Sequence, residues 1–290
     1  MERIVRRGLI SPSERATPAI RRTVRVVQGL LLGALLLTGL GPVLWLAKAA
    51  VTPTQDTLRT PLSLFPTGID LANLVTAWTR VEIDKYFLNT VVIAAGSWLV
   101  QLVVATTAGY ALAILRPRYG RLITAVVLGT LFVPAIVLLV PLYLTVVRAG
   151  MINTFWAVWL PAGASAFNVV LVQRFFANLP REVLEAARVD GAGPVRVFWS
   201  VVLPLSRPIL GVVSVFAVVA SWKDFLWPLL VLPDPAVQPL SVRLPALQRY
   251  VELDVFLAAL AISSVIPVAL FLVFQRLFLQ SGALEGAVKG

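Results

Sequence analysis

Between Glu185 and Pro204 the chain reads EAARVDGAGPVRVFWSVVLP, which sets Glu185, Arg188, Asp190 and Arg196 between two long apolar runs. A second charged pair, Lys223-Asp224, interrupts the following apolar run and is flanked by Trp222, Phe225 and Trp227. The chemistry open to these residues is bounded by what the chain lacks. It has no Cys and no His, which removes disulfides, thiolate nucleophiles, imidazole catalysis and histidine metal sites. No GxxxxGK[ST] run occurs, so the chain has no Walker-type phosphate cradle. A catalytic centre built from Asp, Glu and Lys is disfavoured, because the 14 acids lie mostly outside the apolar runs. What remains is recognition: charge pairing in the first stretch, and carboxylate or aromatic contacts in the second.

The elements that must position these residues are written for lipid. The 290 residues are 59% hydrophobic and 13% charged, against about 45–50% and about 25% in soluble domains. A hydrocarbon core of about 30 Å takes about 20 helical residues to cross. Uncharged apolar runs of that order occupy Val26–Ala47, Tyr86–Leu115, Leu122–Val147, Ala149–Gln173, Pro208–Pro233 (interrupted by Lys223-Asp224) and Val255–Gln275. None shows the sustained period-two alternation of a barrel strand. Backbone groups in lipid must be satisfied internally, so the expected fold is all-α, a polytopic bundle of six transmembrane helices. Pro134, Pro141, Pro161 and Pro267 fall inside apolar runs and are expected to kink them. Ala105-Thr106-Thr107-Ala108-Gly109 is small enough for close helix approach.

Charge gives the orientation. Of the 25 Lys and Arg, 17 fall in the N-terminal arm, the 116–121 connection, the 174–207 connection and the C-terminal tail. Seven fall in the alternate connections, and Lys223 lies within a span. The net charge of +11 therefore sits on one face, which the positive-inside rule makes cytoplasmic. Both termini are then inside a multi-pass protein of the cell membrane, with residues 1–25 as a basic cytoplasmic arm. The basic excess is a topology signal, and nucleic acid is not needed to explain it. Ala47-Lys48-Ala49 resembles a cleavage site, but the preceding run of about 22 residues exceeds the 7–15 of a signal peptide core. An uncleaved first helix is expected.

The 174–207 connection is too long and too patterned for a simple turn. Pro180 can open a helix, Glu182 and Glu185 suit its early turns, and Arg188 its last. Gly191 stands where a left-handed C-terminal cap is wanted. A second helix from Pro194 would carry Val195, Phe198, Trp199 and Val202 as one stripe, ending at Leu203-Pro204. By pattern alone this is either an interfacial hairpin or a docking surface for a soluble partner.

Here the residues resemble a known family. Glu185-Ala186-Ala187, three residues, Gly191, nine residues and Val201-x-Leu203-Pro204 resemble the EAA signature of ATP-binding-cassette (ABC) importer permeases. Leu88-Asn89-Thr90, Pro141-Leu142-Tyr143, Ile152-Asn153-Thr154, Asp190-Gly191-Ala192, Ser221 to Leu229 and the terminal Gly286-Ala287-Val288-Lys289-Gly290 are similar to the carbohydrate, maltose-permease-G-like branch. Two departures are Lys223, where the branch usually has Asn, and Gly193, where Ser is common.

The resemblance implies a transmembrane domain over residues 26–290 with a coupling loop at 174–207 that docks on a separate ATPase. It implies a second permease subunit in a heterodimer, two ATPase subunits carrying ATP and Mg, an extracytoplasmic solute-binding protein, and a sugar or oligosaccharide as cargo. The chain itself would be no enzyme and hold no cofactor. Coupling would fall to Glu185, Ala186, Ala187, Asp190, Gly191, Leu203 and Pro204. Gly286, Lys289 and Gly290 would touch the ATPase pair or form a frayed terminus. Trp222, Asp224, Phe225 and Trp227 are candidates for the solute path, with a paired, snorkelling Lys223–Asp224 as the plainer reading. An ABC permease for another solute, or a stand-alone secondary transporter, are the competing functions. The latter would want intramembrane carboxylates or an inverted repeat; only Asp224 answers the first, and no repeat is visible.

Overall fold

The computed structural model describes residues 18–60, 63, 68–265, 267–269 and 272. Among these residues the secondary structure is helical throughout, with no strand. Helix α1 is Pro18–Ala49, and after Arg25 it is apolar around its circumference and leaves nearly all of its side chains exposed. It runs through Ala47-Lys48-Ala49, where Ala49 is buried. Two short helices follow, α2 (Thr54–Arg59) and α3 (Ala72–Thr79). Helix α4 begins at Ile83 as a regular α-helix to Tyr110 and closes with a π-helical turn, Ala111–Leu115. No proline interrupts it. Its threonines bond back to their own helix, Thr90 Oγ1 to Tyr86 O at 2.7 Å and Thr106 Oγ1 to Leu102 O at 2.7 Å, which satisfies hydroxyls that lipid cannot.

Only α1 and α4 are long and apolar enough to cross a membrane unbroken among the described residues. The three central runs expected as single spans are broken instead. Leu122–Val147 is two helices, α5 (Gly120–Thr130) and α6 (Ala135–Arg148), bent by 106°. Pro134 has no amide hydrogen and forces the preceding residue out of the helical region, so the chain turns over 131–133 and restarts. Ala149–Gln173 starts later than its hydropathy indicates. Gly150 (φ +67°) and Asn153 (φ +62°) carry a left-handed connection, then α7 (Trp156–Ala162) and α8 (Ala166–Ala177) meet at 44°. Ser165 caps α8, its Oγ accepting from Asn168 N at 3.4 Å.

In the 174–207 connection, α9 is Arg181–Val189 and α10 is Pro194–Leu205. The run Pro208–Pro233 is likewise divided. Helix α11, Arg207–Lys223, stops because Asp224 is extended (φ −67°, ψ 122°), and α12 is the short Leu226–Val231. After α13 (Leu240–Leu247) a last apolar helix, α14, covers Leu253–Ala269.

Helix α4 is the axis of the bundle, packing against α7, α8, α11 and α13. Two glycines set its approach. A methyl at Gly96 would fall into the indole of Trp159, and one at Gly109 would lie 2.8 Å from Val172 Cγ1 and 3.2 Å from Gln173 N. Between these contacts Asn168 Nδ2 donates to Gln101 Oε1 at 2.6 Å, with both residues buried.

Further polar bonds of α4 lie at its two ends. At the Ile83 end, Asn89 Nδ2 donates to Ala236 O and Gln238 O at 2.9 and 3.1 Å. Thr90 Oγ1 accepts from Leu240 N at 2.8 Å, and Arg243 Nε donates to Tyr86 Oη at 3.1 Å. Asn153 joins the same loop, its N donating to Val231 O at 2.7 Å and its Oδ1 accepting from Asp234 N at 3.0 Å. At the other end Tyr110 Oη donates to Pro194 O at 2.8 Å. The connections assigned to opposite faces by charge thus collect at opposite ends of one helix.

Two outcomes follow for stability. Gly109→Ala must displace α8 and is expected to cost about 1–3 kcal/mol, read as a lower thermal midpoint of the purified protein; Gly129→Ala, where nothing lies within 4 Å, leaves the midpoint unchanged or slightly raised. Gln101→Leu strands the Asn168 amide at an expected cost of about 1–3 kcal/mol, and adding Asn168→Leu recovers part of it. A double-mutant cycle that shows strict additivity contradicts that pairing.

Candidate docking surface and bundle cavity

The EAA stretch is built on a small apolar foundation. Leu184 is the buried residue of α9, packed in a cluster with Tyr110, Ala113, Phe176, Val197, Phe198 and Val202. The Tyr110 ring lies 5.0 Å from that of Phe198, while its hydroxyl holds Pro194. The connection is therefore fastened to the end of α4 by an aromatic contact and a hydrogen bond.

Above this foundation the predicted coupling residues face outward. Glu185, Ala186 and Asp190 are exposed, and Ala187 is partly buried. Their backbones make the reversal. Asp190 N donates to Ala186 O at 2.9 Å, Gly191 N to Arg188 O at 3.0 Å and Ala192 N to Ala187 O at 2.9 Å. Gly191 takes φ +78°, and a Cβ there would meet nothing within 4 Å. Its glycine answers a backbone conformation rather than a close contact. Pro180 is the N-cap rather than the first helical residue, and Pro194 opens the second helix as expected.

The apolar stripe of α10 is corrected. Val202 is fully buried, Val197 and Phe198 nearly so, but Val195 is 72% and Trp199 65% exposed. Phe198–Val202 is a π-helical turn, whose i→i+5 bonding widens the helix and shifts the face that points inward. Val189, at the end of α9, is 87% exposed. Leu203 is partly buried and Pro204 exposed, where the helix ends before the 80° bend into α11. The connection thus presents carboxylates and apolar side chains together. A cavity of about 340 Å³ between α4 and α9, lined by Arg116, Arg181, Glu185 and Arg188 among others, opens beside them.

The four candidates for a solute path separate. Trp222 is buried and edge-on to Phe87, centroids 5.8 Å apart, in the cluster around Tyr86 and Leu240. Trp227 is buried too, and its Nε1 donates to Ala157 O at 2.9 Å. Both indoles are engaged in packing. Phe225 is 42% exposed. Asp224 and Trp227 meet in a cavity of about 260 Å³ with Ser97, Gln101 and Ser221, three residues that sequence reasoning did not single out. The Ser97 and Ser221 hydroxyls are buried without a hydrogen-bond partner. Lys223 is exposed while Asp224 is partly buried, and no ion pair joins the two among the described residues. Gly286, Lys289 and Gly290 lie outside the described residues.

Comparison with known proteins gives a consistent result. Residues 105–281 match the family described as the binding-protein-dependent transport system inner membrane component. The melibiose/raffinose/stachyose import permease protein MelC of Bacillus subtilis is 33% identical over 233 residues, 78% of this chain and 84% of that protein. The arabinooligosaccharides transport system permease protein AraQ of Halalkalibacterium halodurans is 31% identical over 254 residues, 86% of this chain and 91% of that protein. Among solved structures, a bacterial ABC transporter involved in the import of the acidic polysaccharide alginate aligns with a TM-score of 0.80 at 22% identity, covering 93% of this chain and 99% of that one. The fastened EAA loop and this family match lead to one assignment: the chain belongs to the inner membrane components of binding-protein-dependent transport systems, the permease subunits of ABC importers.

Proposed function

We propose that this permease carries a sugar or oligosaccharide, with the 174–207 connection on the cytoplasmic side as the docking site of a separate ATPase. The exposed set Glu185, Asp190, Val189 and Trp199 on a rigidly fastened base is the observation that carries the docking part. Carboxylates offer charge-assisted hydrogen bonds to basic or backbone donors, and the apolar members gain from leaving water. Six spans with both termini inside, a second permease completing the path, two ATPase subunits and a solute-binding protein complete the proposed assembly. ATP and Mg belong to the ATPase.

The geometry supplies a way to transmit motion. Helix α10 meets α11 at 80°, and the 17 residues of α11 span about 25 Å at 1.5 Å per residue. The far end of that lever carries Ser221 and Asp224 into the 260 Å³ cavity. A displacement of the docked loop reaches this cavity along one helix.

The lining of the cavity supports a neutral polyhydroxy solute. Hydroxyls, an amide and one carboxylate are present, and no Lys or Arg lines it. The sn-glycerol-3-phosphate transport system permease protein UgpE of Agrobacterium fabrum, 27% identical over 275 residues, makes a phosphorylated solute the second reading. A phosphate would want basic partners that this cavity lacks. A stand-alone transporter is disfavoured by the family match.

Reconstitution in liposomes tests the coupling. Uptake is expected only when the ATPase and binding protein are present, and Gly191→Asp should abolish uptake while leaving membrane insertion intact. Because Asn tolerates left-handed φ better than branched residues, Gly191→Asn should retain more uptake than Gly191→Val. Wild-type uptake by all three variants would falsify the docking role. For the cargo, Asp224→Asn, which keeps an accepting oxygen and loses the charge, is expected to raise the KM for sugar uptake by about three- to tenfold, on the order of one ordinary hydrogen bond, with basal ATP hydrolysis unchanged; an unaltered KM removes Asp224 from the path.

A further inference from the structure

A groove of about 770 Å³ opens between the end of α4, α5 and α8. Arg116, Arg118, Arg121 and Arg174 line it, and no acidic side chain does. Much of the remaining wall is apolar, with Leu112 and Leu128 prominent. The arginines are exposed, yet the frame that holds them is fixed. Arg116 sits at φ +49° with its Nε donating to Ala113 O at 3.0 Å. The Arg118 guanidinium lies over the Tyr119 ring at 5.7 Å, and Gln173 Nε2 ties α8 to α5 by donating to Thr124 Oγ1 at 3.0 Å.

The positive-inside rule accounts for arginines at this end of the bundle. It does not require four of them, from two separate connections, to converge on one amphipathic groove. A small free anion would satisfy the guanidiniums, which bind phosphate in bidentate fashion, but leave the apolar wall uncovered. A ligand that carries both a phosphate and hydrocarbon covers both. We infer that the groove binds an anionic phospholipid, its phosphate among the four arginines and an acyl chain along Leu112 and Leu128. Basic recesses between helices at a membrane surface are suited to such headgroups. The inference does not depend on the cargo, but it shares Arg174 with the 174–207 connection and rests on the cytoplasmic placement proposed for that connection.

Native mass spectrometry of the transporter, purified with its partner subunits and titrated with phosphatidylglycerol or phosphatidylcholine, reads the site directly. Wild type is expected to retain one more phosphatidylglycerol than Arg118→Gln/Arg121→Gln/Arg174→Gln, with apparent affinity about a hundredfold higher, and to show no such preference for phosphatidylcholine. Ala125→Glu, at an exposed position in the groove, keeps every arginine and should lose the same lipid; it carries the test if the triple variant fails to assemble. Arg22→Gln/Arg25→Gln removes charge outside the groove and should behave as wild type. Equal retention by the groove variants overturns the site. So does equal loss in Arg22→Gln/Arg25→Gln, which marks diffuse surface charge, or displacement of the lipid by millimolar inorganic phosphate, which marks a free-anion site.

Discussion

Every break in a helix within hydrocarbon uncovers backbone groups that no water can satisfy. This chain breaks its central helices repeatedly, and the arrangement depends on how each break is closed. At 131–133 successive turns donate back, Leu131 N to Leu128 O and Phe132 N to Gly129 O. At 163–165 a serine caps the restarted helix. At Asp224 the free carbonyl accepts from Ser241 Oγ at 2.6 Å, a residue 17 positions on. Each closure is local or comes from the next loop. The uninterrupted α4 runs past them all and supplies further partners through Asn89, Thr90 and Gln101. One straight helix is thus the reference against which the broken ones are held.

This division sets what can move. The connection at one end of α4 is fixed by Leu184, Tyr110 and Phe198, and the loop at the other by Asn89, Thr90 and Asn153. Helix α11 runs between the two regions and is not itself pinned by a side-chain hydrogen bond to α4 at its centre; its Ser214 bonds back to Leu210 O. With Ser214 bonded within the helix and the Ser221 hydroxyl unpartnered, a tilt of α11 breaks no side-chain hydrogen bond to α4. On the proposed reading, that is the property a lever from docking loop to cavity needs.

The sequence made some of this legible and hid the rest, for physical reasons. Gly191 and Pro194 could be read because a left-handed cap and a first-turn proline are local backbone demands. Pro134 announced a break, but no local rule gives its 106°, which the packing of α5 and α6 decides. The stripe Val195-Phe198-Trp199-Val202 presumes regular α periodicity, which the π turn over Phe198–Val202 breaks. Ser97, Gln101 and Ser221 could not be grouped, since they stand up to 124 positions apart and only the packing of α4 against α11 assembles them. Trp222 is legible in the sequence as an aromatic face beside a carboxylate, but its ring packs in the core, whereas Trp227 is both packed and part of the cavity wall with Asp224. Asn89-Thr90 and Asn153, noticed only as family-like motifs, prove to be the staples of the 224–240 loop.

Apolar exposure means two different things in this molecule. Leu30, Leu35 and Leu37 on α1, and Ile136, Val137 and Val140 on α6, are each more than 60% exposed. Within lipid that exposure has no hydrophobic cost, because acyl chains are as apolar as leucine, and it gives no drive to associate. A companion permease would have to be chosen there by shape and close packing. Val189, Val195 and Trp199 are as exposed, but they belong to a connection rich in Glu, Asp and Arg, where water is the solvent on the proposed orientation. Burying each such side chain is worth roughly 1.5–3 kcal/mol, part of which goes to the cost of association. On the proposed docking role, hydrophobic free energy is therefore concentrated at the 174–207 connection although most apolar surface lies elsewhere. On the same proposal, the carboxylates of Glu185 and Asp190 beside it select the partner and its orientation rather than supply the bulk of the affinity.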